Sequence, residues 1–221
     1  MASSDVEKLR GKLSNESIEI SKTLMKHSYE IRNLQLRLLM GCQGIQCFAN
    51  IEENICRCLP YGNINSQVMI LGTYPSEEDC KNFMSFSDAY GHYLTFVLSK
   101  MGITREQLYF THLVKCYKKM NEDSICECIH ANFMKELYAI SPKKIICNGL
   151  NVLKICADLK ILTGLPELLQ YGVVYPAKTM FGKEVAVIAI YNIEKLLQKE
   201  GKNYEDCKTS LWNQLCCIFK A

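Results

Sequence analysis

Four short apolar runs alternate with longer helical patterns along the chain. The apolar runs have the length and composition of buried strands and cover residues 68–71, 108–114, 144–148 and 185–190. The helical patterns repeat their apolar positions with the period of a helix and cover about 89–101, 125–140, 150–158 and 203–219. Strands that alternate with helices predict an α/β fold, in which helices cover both faces of a parallel sheet.

The N-terminal stretch has a separate pattern. Leucine and isoleucine side chains give residues 4 to about 40 one apolar face, and Ser4 and Asp5 can cap a helix there. Residues 41–67 are irregular and carry several cysteines. We therefore expect an N-terminal helical extension over residues 1–40 and one domain over residues 41–221.

The composition is that of a soluble protein. The chain has 221 residues, 48% of them hydrophobic and 22% charged, which is enough to bury the core of one α/β domain. No apolar run reaches the roughly 18 residues of a membrane span, and the N-terminus lacks the apolar region of a signal peptide. We expect an intracellular protein, cytoplasmic if its source is a prokaryote, with no membrane partner. The net charge of +3 is compatible with nucleic-acid binding but supports it only weakly.

The chain carries thirteen cysteines. A disulfide scaffold does not suit an intracellular protein, because that compartment is reducing. Four cysteines stand in the apolar surroundings of core residues: Cys147, Cys156, Cys216 and Cys217. The candidates for metal or cluster ligands are Cys42, Cys47, Cys56, Cys58, Cys116, Cys126 and Cys128. None of these forms a CxxC pair, so spacing alone leaves core and ligand roles open.

The loop after the first apolar run is the expected position of a binding site. The run Val68–Leu71 meets Gly72 and then a polar stretch. Parallel sheets place their ligand sites at the carboxyl ends of such strands. Further along, Asp88 directly precedes a helical pattern and is a candidate N-cap for it.

Three segments, in order, resemble the uracil-DNA glycosylase superfamily, specifically its iron–sulfur branches, families 4 and 5. They are "YGNINSQVMILGTYPSEED", "FSDAYGHYLTFVLSKMGITREQLYFTHLVKCYKK" and "FMKELYAISPKKIICNG", within a resemblance that covers roughly residues 42–197. The match over residues 101–116, ending in Val114, Lys115 and Cys116, is the most specific. The resemblance implies a three-layer α/β/α sandwich around a four-stranded parallel sheet. It also implies a monofunctional DNA N-glycosylase, which hydrolyses the bond to a flipped-out base.

The resemblance also indicates the catalytic acid. Family 4 carries a glutamate directly after the strand glycine, where this chain has Thr73. Family 5 instead uses an aspartate that stands three residues before a glycine, as Asp88 stands before Gly91. The spacing from Phe86 to Asp88 is one residue shorter than in family 5. The resemblance thus implies Asp88 as the acid, whereas the acidic run 77–79 is expected to be a solvated turn.

The same comparison suggests base-binding residues. Phe86 matches the phenylalanine that stacks on the base, although an ordinary core role is equally compatible. His112 stands where the family usually has an asparagine that contacts the pyrimidine edge. Thr73 and Tyr74 are expected to shape the pocket wall. The family's His-Pro-Ser stretch is replaced by "AIYNIEKLLQK", so Tyr191 or Asn192 takes the place of the histidine.

DNA contacts and metal ligands follow from the same alignment of segments. The expected basic rim consists of Lys115, Lys118, Lys119, Lys195 and Lys199. Leu196, with Leu197, is a candidate wedge that enters the duplex when the base leaves. The alternative is that this segment is simply the start of a helix that packs on the sheet. The implied ligands of a 4Fe-4S cluster are Cys42, Cys47, Cys116 and Cys128, with Cys126 as the alternative fourth ligand. Zinc bound by the same thiols is the alternative cofactor.

The departures from the family pattern predict an altered specificity. With Thr73, His112 and no His-Pro-Ser stretch, a bulkier or otherwise modified base, for instance in foreign DNA, fits as well as uracil. The alternative function is that of a non-catalytic DNA-binding relative, which would act as a structural or partner-recruiting module through the N-terminal helix. We expect a monomer that binds DNA.

Overall fold

A computed structural model describes residues 58–117, 122–198 and 201–220 of the chain. The predicted helix over residues 4–40 lies outside these residues, as do Cys42, Cys47, Cys56, Lys118, Lys119 and Lys199. The elements are, in chain order, β1 (Tyr61–Gly62), β2 (Val68–Gly72), α1 (Glu77–Lys81), α2 (Ala89–Ser99), β3 (Tyr109–His112), α3 (Glu122–Cys128), α4 (Met134–Ile140), β4 (Lys144–Asn148), α5 (Leu150–Asp158), β5 (Leu162–Thr163), β6 (Val174–Thr179), β7 (Glu184–Ile190), α6 (Ile193–Leu197) and α7 (Gly201–Lys220).

The strands form one sheet in the order β1-β3-β2-β4-β7-β6-β5. The four central strands, β3, β2, β4 and β7, are parallel and correspond to the four apolar runs in the sequence. The sheet nevertheless has seven strands in the described residues rather than the expected four, because β1, β5 and β6 add to its edges in antiparallel orientation. The predicted α/β fold is confirmed, with a wider sheet.

The central strands are apolar along their whole length because both faces of the sheet are covered. Ile70, Ile146 and Ile188 point to one face and pack against α2 and α7. Their neighbours in the strands, such as Met69 and Ile145, are also fully buried and point to the opposite face. Continuous burial of this kind is typical of a parallel sheet between two helical layers.

The predicted helix over 125–140 is divided into three parts. A π-helical segment, Ile129–Phe133, joins α3 to α4. A shorter 3₁₀ turn, Arg105–Gln107, precedes β3.

Among the described residues, no helix combines the length and apolar character that crossing a membrane requires.

Candidate active site

A cleft of about 690 Å³ opens at the carboxyl ends of the parallel strands. This edge of the sheet is where parallel α/β proteins bind their ligands. The cleft brings together all but one of the residues predicted for catalysis and base binding: Thr73, Tyr74, Phe86, Asp88, His112 and Asn192. The exception is Tyr191, whose ring stacks on Tyr171 with a centroid distance of 4.9 Å.

Asp88 is the N-cap of α2. Its backbone is extended, and its Oδ1 accepts a hydrogen bond of 2.8 Å from the Gly91 backbone N–H. A β-carbon on Gly91 would lie 2.0 Å from the Phe86 carbonyl oxygen, so this turn requires glycine. Within the described residues, no donor contacts Oδ2 of Asp88. The cap therefore uses one carboxylate oxygen and leaves the other available to the cleft.

Asp79 corrects the expectation of a solvated acidic turn. Glu77 and Glu78 are exposed, but Asp79 is 2% exposed and forms a capping box with Ser76 at the start of α1. Its Oδ1 accepts hydrogen bonds from the backbone N–H groups of Ser87 (2.6 Å) and Asp88 (3.2 Å). Burial, and then the charge of Asp88, raises the pKa of Asp79. Asp79 thus holds the loop that carries Asp88, and the Ser-x-x-Asp spacing was its signal in the sequence.

Arg105 fixes the conformation of the loop residue Phe86. Phe86 has a left-handed backbone, with φ +56°, which is rare for a residue with a side chain. The guanidinium of Arg105 donates to the Phe86 carbonyl at 2.8 Å and also to the Ser85 carbonyl. It packs over the Phe110 ring, 4.4 Å from the centroid. Arg105 carried no local sequence signal, because the two carbonyl groups to which it donates lie about twenty positions earlier in the chain.

His112 is packed flat against Phe86. The ring centroids are 4.6 Å apart, and Gly72 leaves room for the imidazole because a β-carbon there would lie 2.4 Å from His112 Cδ2. Burial, and then the charge of Lys115, lowers the pKa of His112 well below its ordinary value, so the ring is neutral. Phe86 is only 4% exposed. Its predicted stacking on a base therefore requires His112 to move, and it stays a prediction.

Asn192 lies at the cleft after β7 and caps α6. Its Oδ1 accepts from the Lys195 backbone N–H at 3.0 Å, and its Nδ2 is 3.5 Å from the Asn148 carbonyl oxygen. Asn148, at the end of β4, also lines the cleft, and its Oδ1 accepts from the Ile193 N–H. Of the two candidates for the missing histidine, the structure therefore places Asn192 and not Tyr191 at the cleft.

Two predicted DNA contacts are wrong. Lys115 is 2% exposed, and its Nζ donates to Glu136 Oε2 at 2.5 Å and to Thr111 Oγ1 at 2.5 Å. A lysine buried in an ion pair cannot reach a phosphate. Leu196 is 1% exposed and belongs to the core beneath α6, so it is no wedge. Lys195 is exposed and remains a candidate.

The family model described as the uracil DNA glycosylase superfamily matches residues 59–216. The chain belongs to this superfamily. It is similar to three proteins named Type-4 uracil-DNA glycosylase. The one from Archaeoglobus fulgidus is 29% identical over 141 residues, which is 62% of this chain and 70% of the relative. The one from Thermotoga maritima is 30% identical over 103 residues, which is 45% of this chain and 53% of the relative.

The third relative, from Pyrobaculum aerophilum, is 29% identical over 101 residues, or 44% of this chain and 52% of the relative. The chain thus spans about half the length of the second and third relatives. The resemblance seen in the sequence is confirmed, and with it the DNA glycosylase class at the level of the superfamily.

The cysteines within the superfamily match differ in their surroundings. Cys116 and Cys128 are each 1% exposed, and Cys126 is half-buried. The Asn132 side chain donates to Cys128 Sγ at 3.6 Å, which suits a thiolate. Cys147 and Cys156 are core residues as expected, and burial raises the pKa of Cys156 to about 12. Cys217, also expected in the core, is exposed.

Proposed function

We propose that this protein is a monofunctional DNA N-glycosylase that hydrolyses the N-glycosidic bond of a base flipped out of DNA. The observation that carries the proposal is the gathering of Asp88, His112 and Asn192 at one cleft, on the strand edge where parallel α/β sheets bind their ligands. Breaking the bond develops positive charge on the sugar and negative charge on the base. A glycosylase therefore needs a carboxylate and hydrogen-bond donors at one site.

Asp88 supplies the carboxylate. The Gly91 N–H fixes one carboxylate oxygen, and the hydrogen bonds that Asp79 accepts from the Ser87 and Asp88 N–H groups hold the loop in place. The other oxygen of Asp88 orients the attacking water and stabilises the developing sugar cation. A side chain that is fixed before the reaction needs no reorganisation during it, which is the basis of electrostatic catalysis.

Neutral groups stabilise the leaving base in this proposal. Asn192 offers an amide donor, and His112 is held neutral by its burial. Neutral donors stabilise an anion less than a cation does. The site therefore favours bases that leave readily as anions, namely uracil or a modified base with an electron-poor ring, including one in foreign DNA.

The cofactor in this proposal is a 4Fe-4S cluster, with zinc as the alternative. Cys116 and Cys128, both buried, supply two thiolates, and the burial of Cys128 favours it over Cys126. Cys42 and Cys47 complete the expected set of four and lie outside the described residues. Bound iron would cross-link the segment after β3 to the end of α3, a structural role that leaves the hydrolysis to the cleft residues.

The test is excision from DNA strands that each carry one candidate base. Purified protein is incubated with uracil-containing, modified-base and undamaged duplexes and single strands, and abasic sites are counted after alkaline cleavage. We expect abasic sites with uracil or an electron-poor modified base and none with undamaged DNA. The absence of abasic sites throughout the panel, with DNA binding intact, would support a non-catalytic DNA-binding relative.

One observation favours that second candidate. The Phe86 ring, which should stack on a flipped base, is covered by His112. In a non-catalytic relative, the cleft would remain closed at this point, and the N-terminal segment would recruit a partner. Both proposals include a monomeric state and an intracellular location. Sedimentation of the purified protein tests whether it is a monomer.

A further inference from the structure

We propose that Cys58, Asp79 and His112 form a zinc site beneath the floor of the cleft, separate from the predicted cysteine cluster. A ligand atom from each of these three residues lies within 4.8 Å of the other two. All three residues are buried, with relative exposures of 2%, 2% and 4%. A thiol, a carboxylate and an imidazole are the three side-chain donors that zinc binds in proteins.

The three groups are close together, but His112 and Asp79 do not pair directly. His112 Nε2 and Asp79 Oδ2 are 3.8 Å apart, which is too long for a hydrogen bond. Donor atoms around a tetrahedral zinc ion stand roughly 3.5 Å from one another, given zinc–ligand distances of 2.0–2.3 Å. The spacing of these two groups therefore suits an ion between them. All three separations are within 4.8 Å, so movement by about 1 Å brings even the widest pair into range.

Hydrogen bonds from neighbouring groups orient these donors as they do in metal sites. Asp79 Oδ1 accepts from the Ser87 and Asp88 N–H groups, while Oδ2 is the oxygen near His112. The Cys58 backbone N–H donates to the Lys115 carbonyl at 2.7 Å, which fixes the backbone that carries the thiol. The donors are thus held in place by parts of the fold that do not depend on an ion.

Ser85 lies between two of the proposed ligands. Its Oγ is 3.2 Å from Cys58 Sγ and 3.3 Å from His112 Nδ1. Because His112 faces Asp79 through Nε2 and Ser85 through Nδ1, Ser85 orients the imidazole, and zinc takes its fourth ligand from a water. Binding replaces the Cys58 thiol proton, which leaves to solvent, because only the thiolate is a ligand.

The position of the site gives it a relation to the cleft. Asp79 and His112 line the cleft, whereas Cys58, which is close to both, is not among the residues that line it. An ion there would join the loop 85–88, through Asp79, to the end of β3. Its binding can be measured without any glycosylase substrate, so the proposal stands or falls independently of the proposed function.

The experiment measures zinc bound to the full-length protein. Protein is incubated with zinc sulfate, passed through a desalting column and analysed for zinc, iron and protein. We expect Cys58→Ser and His112→Gln each to bind one zinc fewer per chain than the wild type. Cys217→Ser, which removes an exposed thiol far from this group in sequence, is expected to bind as much as the wild type.

Zinc X-ray absorption on the wild type gives a second readout that needs no variant. The proposed site adds one sulfur and at least two nitrogen or oxygen neighbours to the zinc environment, whereas a four-cysteine site adds sulfur alone. Full zinc retention by a folded Cys58→Ser or His112→Gln, equal loss in Cys217→Ser, or a sulfur-only spectrum would each overturn the proposal.

Discussion

The imidazole of His112 lies flat on the phenyl ring of Phe86, with 4.6 Å between the ring centroids and 12° between the ring planes. Both residues line the cleft, where the resemblance implied a phenylalanine that stacks on the base and a side chain that contacts the pyrimidine edge. The contact depends on the space left by Gly72, because a β-carbon there would lie 2.4 Å from His112 Cδ2. We therefore expect a substitution at position 112 to change which base the protein excises.

We expect His112→Asn to excise uracil about five- to tenfold faster than the wild type. Asparagine is smaller, so it uncovers the Phe86 ring, and its amide can both donate to and accept from a pyrimidine edge. A hydrogen bond of this kind contributes about 1 kcal/mol, which sets the size of the gain. Single-turnover excision from uracil-containing DNA measures it.

His92→Asn is the matched control for that change. His92 is exposed on α2, so its replacement should leave the excision rate unchanged. A slower His112→Asn enzyme with an unaltered melting temperature would show that the imidazole stabilises the leaving base better than an amide does.

The ion pair between Lys115 and Glu136 predicts a large effect on stability. Both side chains are almost fully buried, and the Tyr109 hydroxyl also donates to Glu136, at 2.7 Å. Glu136→Gln leaves a buried lysine without its counter-charge, so the free energy of unfolding should fall by about 3–5 kcal/mol. Urea denaturation measures this loss.

Glu205→Gln provides the comparison. Its partner Lys208 is 3.4 Å away, and both side chains are exposed. Exposed pairs contribute about 0–1 kcal/mol, so this variant should be close to the wild type. Equal effects of the two substitutions would contradict the structural role of Lys115.

Lys195 is the described lysine that we expect to contact phosphate. Lys195→Gln should weaken binding to all DNA sequences and reduce the slope of log K against log salt by about 0.9, the value for one lost phosphate contact on duplex DNA. Lys178→Gln removes an exposed charge that lines a different pocket and should leave the slope unchanged. Fluorescence anisotropy over a salt series distinguishes the two. An unchanged slope for Lys195→Gln would place the DNA elsewhere.

The sequence predicts the centre of the sheet better than its edges. The central strands are covered on both faces, so burial appears as uninterrupted apolar runs. Strand β6 contains Pro176 and exposed residues, and β1 and β5 have two residues each, so none has a recognisable period. Strand β6 joins the sheet through a hairpin with β7, β5 pairs with β6, and β1 pairs with the distant β3, so their places follow from pairing and not from an apolar run.

The same distinction holds in the cleft. Asp88 could be found as an N-cap from its place before a helical pattern, whereas Phe86 and the catalytic role of Asp88 were implied by the resemblance to the family. Lys115 was misplaced because its partner Glu136 is 21 residues away, and a lysine is ordinarily exposed. Asp79 resembled part of an exposed acidic run, and its burial depends on the fold of the loop 85–88 around it.

The burial of Cys156 predicts a loss of stability at alkaline pH. Burial raises the pKa of this thiol from 9.0 to about 12, so the folded state keeps a proton that the unfolded state loses above pH 9. Stability from this group is complete below about pH 9 and declines as pH rises towards 12, by at most about 1.4 kcal/mol per pH unit. Cys156→Ala should therefore show a shallower decline in unfolding free energy between pH 9 and 10.5.

Cys217→Ala, at an exposed position, should follow the wild-type pH dependence. Urea denaturation at three pH values tests both variants. Parallel curves for Cys156→Ala and the wild type would mean that the pKa of the Cys156 thiol is the same in the folded and unfolded states.

The strongest test of the catalytic assignment is Asp88→Asn. Asparagine caps helices as well as aspartate does, so the hydrogen bond from Gly91 and the start of α2 should survive with little change in stability. The substitution removes only the charge. Because orienting water and stabilising the sugar cation both depend on that charge, excision should slow by on the order of 10²–10³-fold. DNA binding should be unchanged or slightly tighter, since a negative charge near phosphates is lost.

Three further variants distinguish Asp88 from its neighbours. Glu78→Gln neutralises an exposed acid on α1 and should leave the rate unchanged, and Thr73→Ala should have a far smaller effect than Asp88→Asn. Asp79→Asn should lower both the melting temperature and the rate, because Asp79 acts through the loop that it holds. If Asp88→Asn were fully active while a stable Asp79→Asn were inactive, the catalytic carboxylate would be that of Asp79.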